Sequence, residues 1–384
     1  MHTQRGAFSI DHSIAMTQTN PTMTNLRIDP TCCDGIASIR PATTPPKFEV
    51  PTFRYGLRTD TVVVYCEHRR THIEAKNILI QDYSTAYWPI PDKKTIRTIM
   101  GHVEICQVLT RSSDDDDDED GDIVFLLTPE MVAVKVYFYN KMSEYQGRLA
   151  ENPWNEISAM QLIGNEHPHV MGIIESIVTD DGNFNVVMPY SESGDLYDKL
   201  QKPISEAEAK YWFRQLVKGI QHLHQKRICH RDLSLENVVI HQNTLKIIDM
   251  GLAIRVPYNG TERLLIERQG RYGKLSYMSP EIYQNRAPFD GDAVDVWGAG
   301  TILFCLVTGN KAYGIPHPTD AYFRAVTSRL ANLLDSWGVD LSSSCIDLLQ
   351  KMLRIDPQSR LTIEEILDHP WLAHDDSARV GMFG

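Results

Sequence analysis

The sequence predicts an α+β chain in which a small β-rich lobe precedes a larger helical one. Three observations carry that expectation. From about Thr95 to Lys141 the residues alternate as strands do, with apolar runs such as Val132–Val136. After Pro153 apolar residues recur at helical spacing, most clearly Trp212, Leu216 and Ile220 beside Phe213, Val217 and Leu223. Helix-start signals recur in this second part, Ser205 with Glu208 and Thr362 with Glu365, the latter followed by a stop at Pro370. With 384 residues, 42% of them hydrophobic, the chain has core enough for two or three folding units.

Taken in order, residues 1–47 are rich in Thr, Pro, Ser and Asn and read as a disordered tail, because scattered hydrophobes cannot offset the entropy of ordering. Residues 48–94 contain strand-like text, Thr61–Tyr65 and Ile78–Ile80, and read as an N-terminal extension without an assigned role. The main domain is expected over residues 95–372. Within it, residues 112–121 hold seven consecutive acids, Asp114 to Asp120, which repel one another and should form a solvated loop between two strands. The helix beginning after Ser205 should end near Gln225, with short strands at Val238–Ile240 and Leu245–Ile248. Residues 373–384 read as a short tail.

The bulk properties exclude several classes. The net charge is −12, and the acidic run accounts for more than half of it, so binding to a nucleic-acid backbone is not expected. The longest apolar run, Val296–Val307, is too short to span a bilayer, and the first residues form no apolar signal core. Seven cysteines without a Cys-x-x-Cys pair indicate neither a disulfide framework nor a zinc site, which points to the cytoplasm or nucleus.

The chemistry lies in a series of short motifs. Val132-Ala133-Val134-Lys135-Val136 sets one cation in an apolar strand. It is followed by His230-Arg231-Asp232-Leu233-Ser234-Leu235-Glu236-Asn237, by Asp249-Met250-Gly251, by Ser279-Pro280-Glu281, by Asp295-Val296-Trp297-Gly298 and by Arg360. In order and separation these resemble the ATP-anchoring strand, catalytic loop, metal-binding triplet, activation-segment end, central helix and paired arginine of the eukaryotic protein kinases. The resemblance covers about residues 95–372. It implies a bilobal kinase-like fold, an N-lobe over about 95–188 and a C-lobe over about 192–372, with serine/threonine specificity and helical-lobe text closest to the calcium/calmodulin-dependent-like kinases.

The resemblance also implies roles. Phosphoryl transfer needs cations and metal ions around a polyanionic nucleotide, and one carboxylate to orient the attacking hydroxyl. Lys135 would hold the α and β phosphates, steered by Glu156. Asn237 and Asp249 would hold magnesium, a hard cation that prefers oxygen. Asp232 would take the substrate hydroxyl proton. Met188, Pro189 and Ser191 fall in the hinge between lobes, where Val108 and Ala133 would cover adenine, and Pro189 loses an N–H but keeps its carbonyl. Asp195 falls where a carboxylate can take ribose hydroxyls or cap the next helix. ATP and magnesium are the implied cofactors. Glu236 and Asp195 suggest a protein substrate basic around its phosphoacceptor.

Three departures stand out. Aligned on the family's glycine-rich loop, Gly101–Val108 keeps one glycine of three and places Glu104 near the phosphates. Ser234 stands where most serine/threonine kinases have a catalytic-loop lysine, while Lys274 stands where they have an activation-segment threonine, which reads as an exchange of ammonium and hydroxyl between two loops. Met250 replaces phenylalanine and should still pack with His230, Met160 and Ile174. The first two departures keep open an alternative, a pseudokinase acting as a nucleotide-binding or scaffolding module.

Overall fold

In the computed structural model, residues 41–66, 69–81, 84–111, 124–145 and 151–373 are described, and they fall in one compact unit. The acidic run at 112–121 and the terminal stretches 1–40 and 374–384 lie outside the described residues.

The N-terminal lobe is a β-barrel. Its strands are β1 (Ala42–Thr43), β2 (Arg54–Cys66), β3 (Arg69–Gln81), β4 (Thr85–Pro89), β5 (Ile96–Arg97), β6 (Gly101–Arg111) and β7 (Val124–Tyr137). After helices α1 (Tyr139–Tyr145) and α2 (Pro153–Ile163) come β8 (Glu175–Thr179) and β9 (Phe184–Pro189). The pairing order β4-β3-β2-β8-β9-β7-β6 closes on itself, because β4 also pairs with β6, Thr85 opposite Thr110 through Pro89 opposite Cys106. Closure leaves none of these strands as a free edge. β5 attaches to the end of β6, and β1 lies apart from the barrel.

Two expected boundaries change. Residues 54–89 are three strands of this barrel, so the extension at 48–94 is part of the lobe that was expected to begin at 95. The chain is also ordered before residue 48: Ala42–Thr43 forms a parallel pair with Leu265–Ile266 in the second lobe. Composition missed both, because a strand that only completes another sheet needs few hydrophobes of its own.

The helical lobe contains α3 (Leu196–Lys199), α4 (Glu206–Gln225), α5 (Pro280–Gln284), α6 (Gly291–Thr308), α7 (Ala321–Ser328), α8 (Leu330–Trp337), α9 (Ser343–Met352), α10 (Ile363–Leu367) and α11 (Pro370–Ala373). Its short strands are β10 (Ile228–Cys229), β11 (Val238–His241), β12 (Thr244–Ile247), β13 (Ile254–Arg255), β14 (Tyr258–Asn259), β15 (Glu262–Arg263) and β16 (Leu265–Ile266). α4 starts and stops where expected, with Ser205 Oγ accepting the Glu208 N–H at 3.3 Å. The second start signal is a full capping box, in which Thr362 and Glu365 satisfy each other's N–H groups at 2.8 and 3.2 Å. α6 is long and apolar enough to pass as a membrane span, yet all of it except Asp292 is buried inside the lobe. Arg360 locks this core, gripping Glu281 through two bonds of 2.6 and 2.7 Å while its guanidinium lies 4.8 Å over the Trp297 ring.

Candidate active site

The site lies where the barrel meets the helical lobe, and four elements supply it. β7 places Ala133 and Lys135 on one face, while Val132, Val134 and Val136 alternate into the barrel. The Lys135 ammonium meets Glu156 Oε1 of α2 at 2.6 Å, and the Tyr137 hydroxyl donates to Glu156 Oε2, also at 2.6 Å. Burial works against the Lys135 charge, but Glu156, Tyr137 and Asp249 outweigh it and hold its pKa well above that of an ordinary lysine. Asp249 follows β12 and opens onto the cleft. Loss of water around it favours the neutral acid, yet Lys135 and the Gly251 N–H at 3.1 Å prevail and lower its pKa, so it is an anion.

The loop between β10 and β11 carries the remaining groups. Arg231 and Asp249 both hold left-handed backbone, φ 66° and 67°, a strain that persists only when the surroundings fix it. For Arg231 the fixing group is Asp295 of α6, fully buried, whose two oxygens accept the His230 and Arg231 N–H groups at 2.9 and 2.8 Å. The Asn237 amide donates to the Asp232 carbonyl at 2.7 Å and to Asp232 Oδ2 at 2.9 Å. On the other side stands Gly273, with φ 93°, where a Cβ would lie 2.9 Å from Arg231 O. Its lack of a side chain lets the Lys274 N–H reach Asp232 Oδ1 at 3.0 Å. The Lys274 ammonium then sits 2.7 Å from Ser234 Oγ, 3.4 Å from Asn237 Oδ1 and 3.5 Å from Asp232 Oδ2. Lys135, Glu156, Asp232, Asn237, Asp249 and Lys274 are thus brought together.

The donor set suits the implied metal. Asn237 and Asp249 offer oxygen ligands, and magnesium characteristically takes one or two protein oxygens and completes its shell with phosphate and water. Among the described residues no group of three or more His, Cys, Asp or Glu could hold a metal ion.

The comparisons agree with this geometry. The model of the protein kinase domain family matches residues 124–372. The chain belongs to that family. Its relatives include an abscisic acid-inducible protein kinase of Triticum aestivum, 31% identical over 62% of this chain and 71% of the relative. The serine/threonine-protein kinase SRK2J of Arabidopsis thaliana is 32% identical over 64% of this chain and 69% of the relative. A probable serine/threonine-protein kinase of Dictyostelium discoideum, fhkD, is 30% identical over 66% of this chain, which spans only 35% of that relative. The family match begins at β7 and includes β8 and β9, so four strands of the barrel, β2, β3, β4 and β6, lie before it.

For a kinase, the loop over the nucleotide phosphates should join two paired strands on the side of β7 away from β9. Here those strands are β4 and β6, and the connection is residues 90–100, Ile-Pro-Asp-Lys-Lys-Thr-Ile-Arg-Thr-Ile-Met. The alignment on Gly101–Val108 is therefore corrected: these residues are the strand after the loop. Gly101 serves close packing, since a Cβ there would lie 1.8 Å from Val136 O. Val108 and Glu104 face into the barrel, where Glu104 meets Arg58 at 3.1 Å and His102 at 2.8 Å, far from any role beside phosphate. Burial alone would neutralise Glu104, but those two partners lower its pKa. Ile105, opposite Ala133, and Val103, opposite Lys135, take the cleft face instead.

At the hinge, Met188 lies opposite Ala133 and Pro189 opposite Val132. Ser191 differs from expectation, because its hydroxyl donates to Ile240 O at 2.6 Å and ties the hinge to the helical lobe. Asp195 caps α3, with Oδ1 accepting the Asp198 N–H at 2.8 Å. Ile174, expected in the packing column, is exposed, whereas Met160, Met250 and His230 are buried. Two contributors escaped the sequence. Tyr137 would have been visible as the polar end of the Lys135 strand, two residues on. Tyr272, whose ring lies 5.2 Å from the Arg231 guanidinium, had no signal beyond its place beside Gly273.

Proposed function

We propose that this kinase transfers the γ-phosphoryl group of ATP to serine or threonine hydroxyls of proteins, and that it prefers substrates basic around the acceptor. The observation that carries the reading is the closed Lys135–Glu156 pair facing Asp249, with Asp232, Asn237 and Lys274 in mutual contact across the same cleft. Lys135 orients the nucleotide phosphates, and Glu156 and Tyr137 keep its ammonium from swinging away. Asp232, held on both oxygens by Asn237 and Lys274, orients the acceptor hydroxyl and takes its proton. Asn237 and Asp249 would hold magnesium, which when bound neutralises charge on the phosphates. Lys274 supplies the cation that Ser234 lacks.

Glu236 supports the basic preference. Its side chain is 30% exposed on the catalytic loop, beside Lys274 at 4.0 Å, and adds negative charge there that favours a basic substrate residue. The four described buried cysteines are free thiols, which suits a reducing compartment, cytoplasmic or nuclear.

The test is phosphate transfer from ATP and magnesium to a peptide library, by the full chain and by Asp249→Ala. Transfer to serine and threonine peptides with basic flanks, lost in Asp249→Ala, is expected. Equal rates for the two proteins would remove the mechanism, and selection of acidic or proline-directed peptides would remove the substrate preference.

A further inference from the structure

We infer that residues 41–53 form an intramolecular strap that ties the activation segment to α2 and so holds this kinase in its assembled arrangement without a phosphate on that segment. The inference rests on the kinase reading above.

The segment touches in turn the parts that must be aligned. At its start β1 adds to β16 in parallel, and the Glu267 N–H donates to Thr43 O at 3.0 Å. β16 is the last strand before the Gly273–Lys274 turn at Asp232. Ile266 already exchanges two backbone bonds with Phe289, at 2.8 and 2.9 Å, so β1 covers the backbone groups that Phe289 leaves open. Next the Phe48 ring packs against the main core and lies 5.9 Å from the guanidinium of Arg255. Then Thr52 meets the far end of α2: its N–H donates to Gln161 Oε1 at 3.0 Å, and its carbonyl accepts from Gln161 Nε2 at 2.6 Å and from Ser176 Oγ at 2.7 Å. Phe53 finally packs against the near end of α2, its centroid 6.1 Å from Trp154 and 4.9 Å from Phe184.

Glu156 lies between Trp154 and Gln161, so pinning both ends of α2 fixes the carboxylate that steers Lys135. Four of the thirteen residues are proline, at 41, 45, 46 and 51. Their fixed φ lowers the entropy lost when the segment is laid down, which explains how so few apolar contacts can hold it. Arg231, in the loop between β10 and β11, stacks on Tyr272 of the activation segment and donates to Leu252 O at 2.8 Å, so the catalytic loop also meets the segment that the strap holds.

The experiment compares four phosphatase-treated proteins: the full chain, a deletion of residues 1–40 that spares the strap, a deletion of residues 1–46 that removes β1, and full-length Thr43→Pro, which takes an N–H out of the β1–β16 pairing. Each is checked for folding by circular dichroism. Turnover of a basic peptide, the KM for ATP, and amide hydrogen exchange at residues 153–163 and 262–267 are then measured. The first deletion should behave as the full chain. The second deletion and Thr43→Pro should lose kcat by about tenfold, a usual size for coupling between two sites, with the KM for ATP little changed. They should also lose exchange protection at Glu267 and in α2, and an added peptide of residues 41–53 should restore both to the second deletion. Full kcat in folded Thr43→Pro, or α2 protection unchanged when β1 is removed, overturns the strap. A full chain that transfers no phosphate would instead remove the kinase reading, and loss of α2 protection in Thr43→Pro would still establish the mechanical link.

Discussion

The contact between Lys274 and Ser234 makes a quantitative demand on catalysis. Its ammonium lies 3.5 Å from Asp232 Oδ2 and 2.7 Å from Ser234 Oγ, placing a cation beside the carboxylate proposed to orient the acceptor hydroxyl. Removing one preorganised donor from a transition state costs about 3 to 4 kcal/mol in a dry site. The Lys274 side chain is 38% exposed, so water screens part of that interaction. About 2 kcal/mol is a fitting expectation for Lys274→Ala, or roughly a thirtyfold loss of kcat. The KM for ATP should hold, because in the proposed mechanism Lys135 and the metal held by Asn237 and Asp249 bind the ground-state phosphates. Ser234 is fully buried, with Lys274 filling the space over its hydroxyl. A lone Ser234→Lys therefore has neither room nor a tolerable neighbour, and it should also lose activity. In Ser234→Lys with Lys274→Thr the vacated volume admits the new stem, and the ammonium returns from the opposite loop. The double variant should exceed either single variant in kcat, measured at saturating ATP with a basic peptide. A double variant that merely sums the two losses would show the loops to be independent and the exchange reading wrong.

Three other outcomes follow from the geometry. Phosphatase treatment should leave turnover nearly intact, whereas Tyr272→Ala, which strips the ring from Arg231, should lower kcat about three- to fivefold, the worth of a part-exposed cation–π contact; a large rate loss on dephosphorylation mapped to residues 258–278 would contradict this. Arg360→Leu leaves Glu281 without its cation, so stability should fall by about 3 to 5 kcal/mol, seen as a clear drop in Tm, and an unchanged Tm would refute the locking role. His224 lies 3.0 Å from Asp295. Burial alone would discharge its ring, but Asp292 and Asp295 outweigh burial and raise its pKa. A raised folded pKa stabilises fully below the unfolded value of about 6.5 and loses that stabilisation as pH rises through the folded value. His224→Gln should accordingly flatten the pH dependence of Tm above about pH 6.5, and parallel curves would exclude the linkage.

The proposed catalytic groups were legible because their reasons are local. A lysine in an apolar strand, a carboxylate followed five residues later by an amide, and an Asp-x-Gly turn each carry their chemistry within a few residues. Even the Ser234–Lys274 exchange could be read, since each position departs from a fixed motif. The nucleotide side was less legible, because its residues are defined by pairing. Ser191 and Asp195 occupy the expected place in the chain, yet Ser191 Oγ is bonded to Ile240 O and Asp195 Oδ1 to the Asp198 N–H, contacts that depend on where the helical lobe lies.

Gly101 shows why the phosphate loop was misplaced. A glycine is needed either for backbone freedom or for close approach, and one sequence does not separate the two reasons. The alternation of β6 does separate them. Glu104, Cys106 and Val108 share one face with spacing two, and Val103, Ile105 and Gln107 share the other. A face bearing buried Cys106 and Val108 is a core face, so Glu104 on it requires a cation from elsewhere in the chain. Arg58 supplies it at 3.1 Å and also donates to Asn185 Oδ1 of β9 at 2.7 Å. That one arginine, standing 46 residues before Glu104, bonds to strands on both sides of β7. Its reach makes β2 part of the lobe's interior, and the same strand begins where the strap ends, at Phe53. The residues outside the family match thus fill the barrel behind Lys135 and brace the helix that holds Glu156.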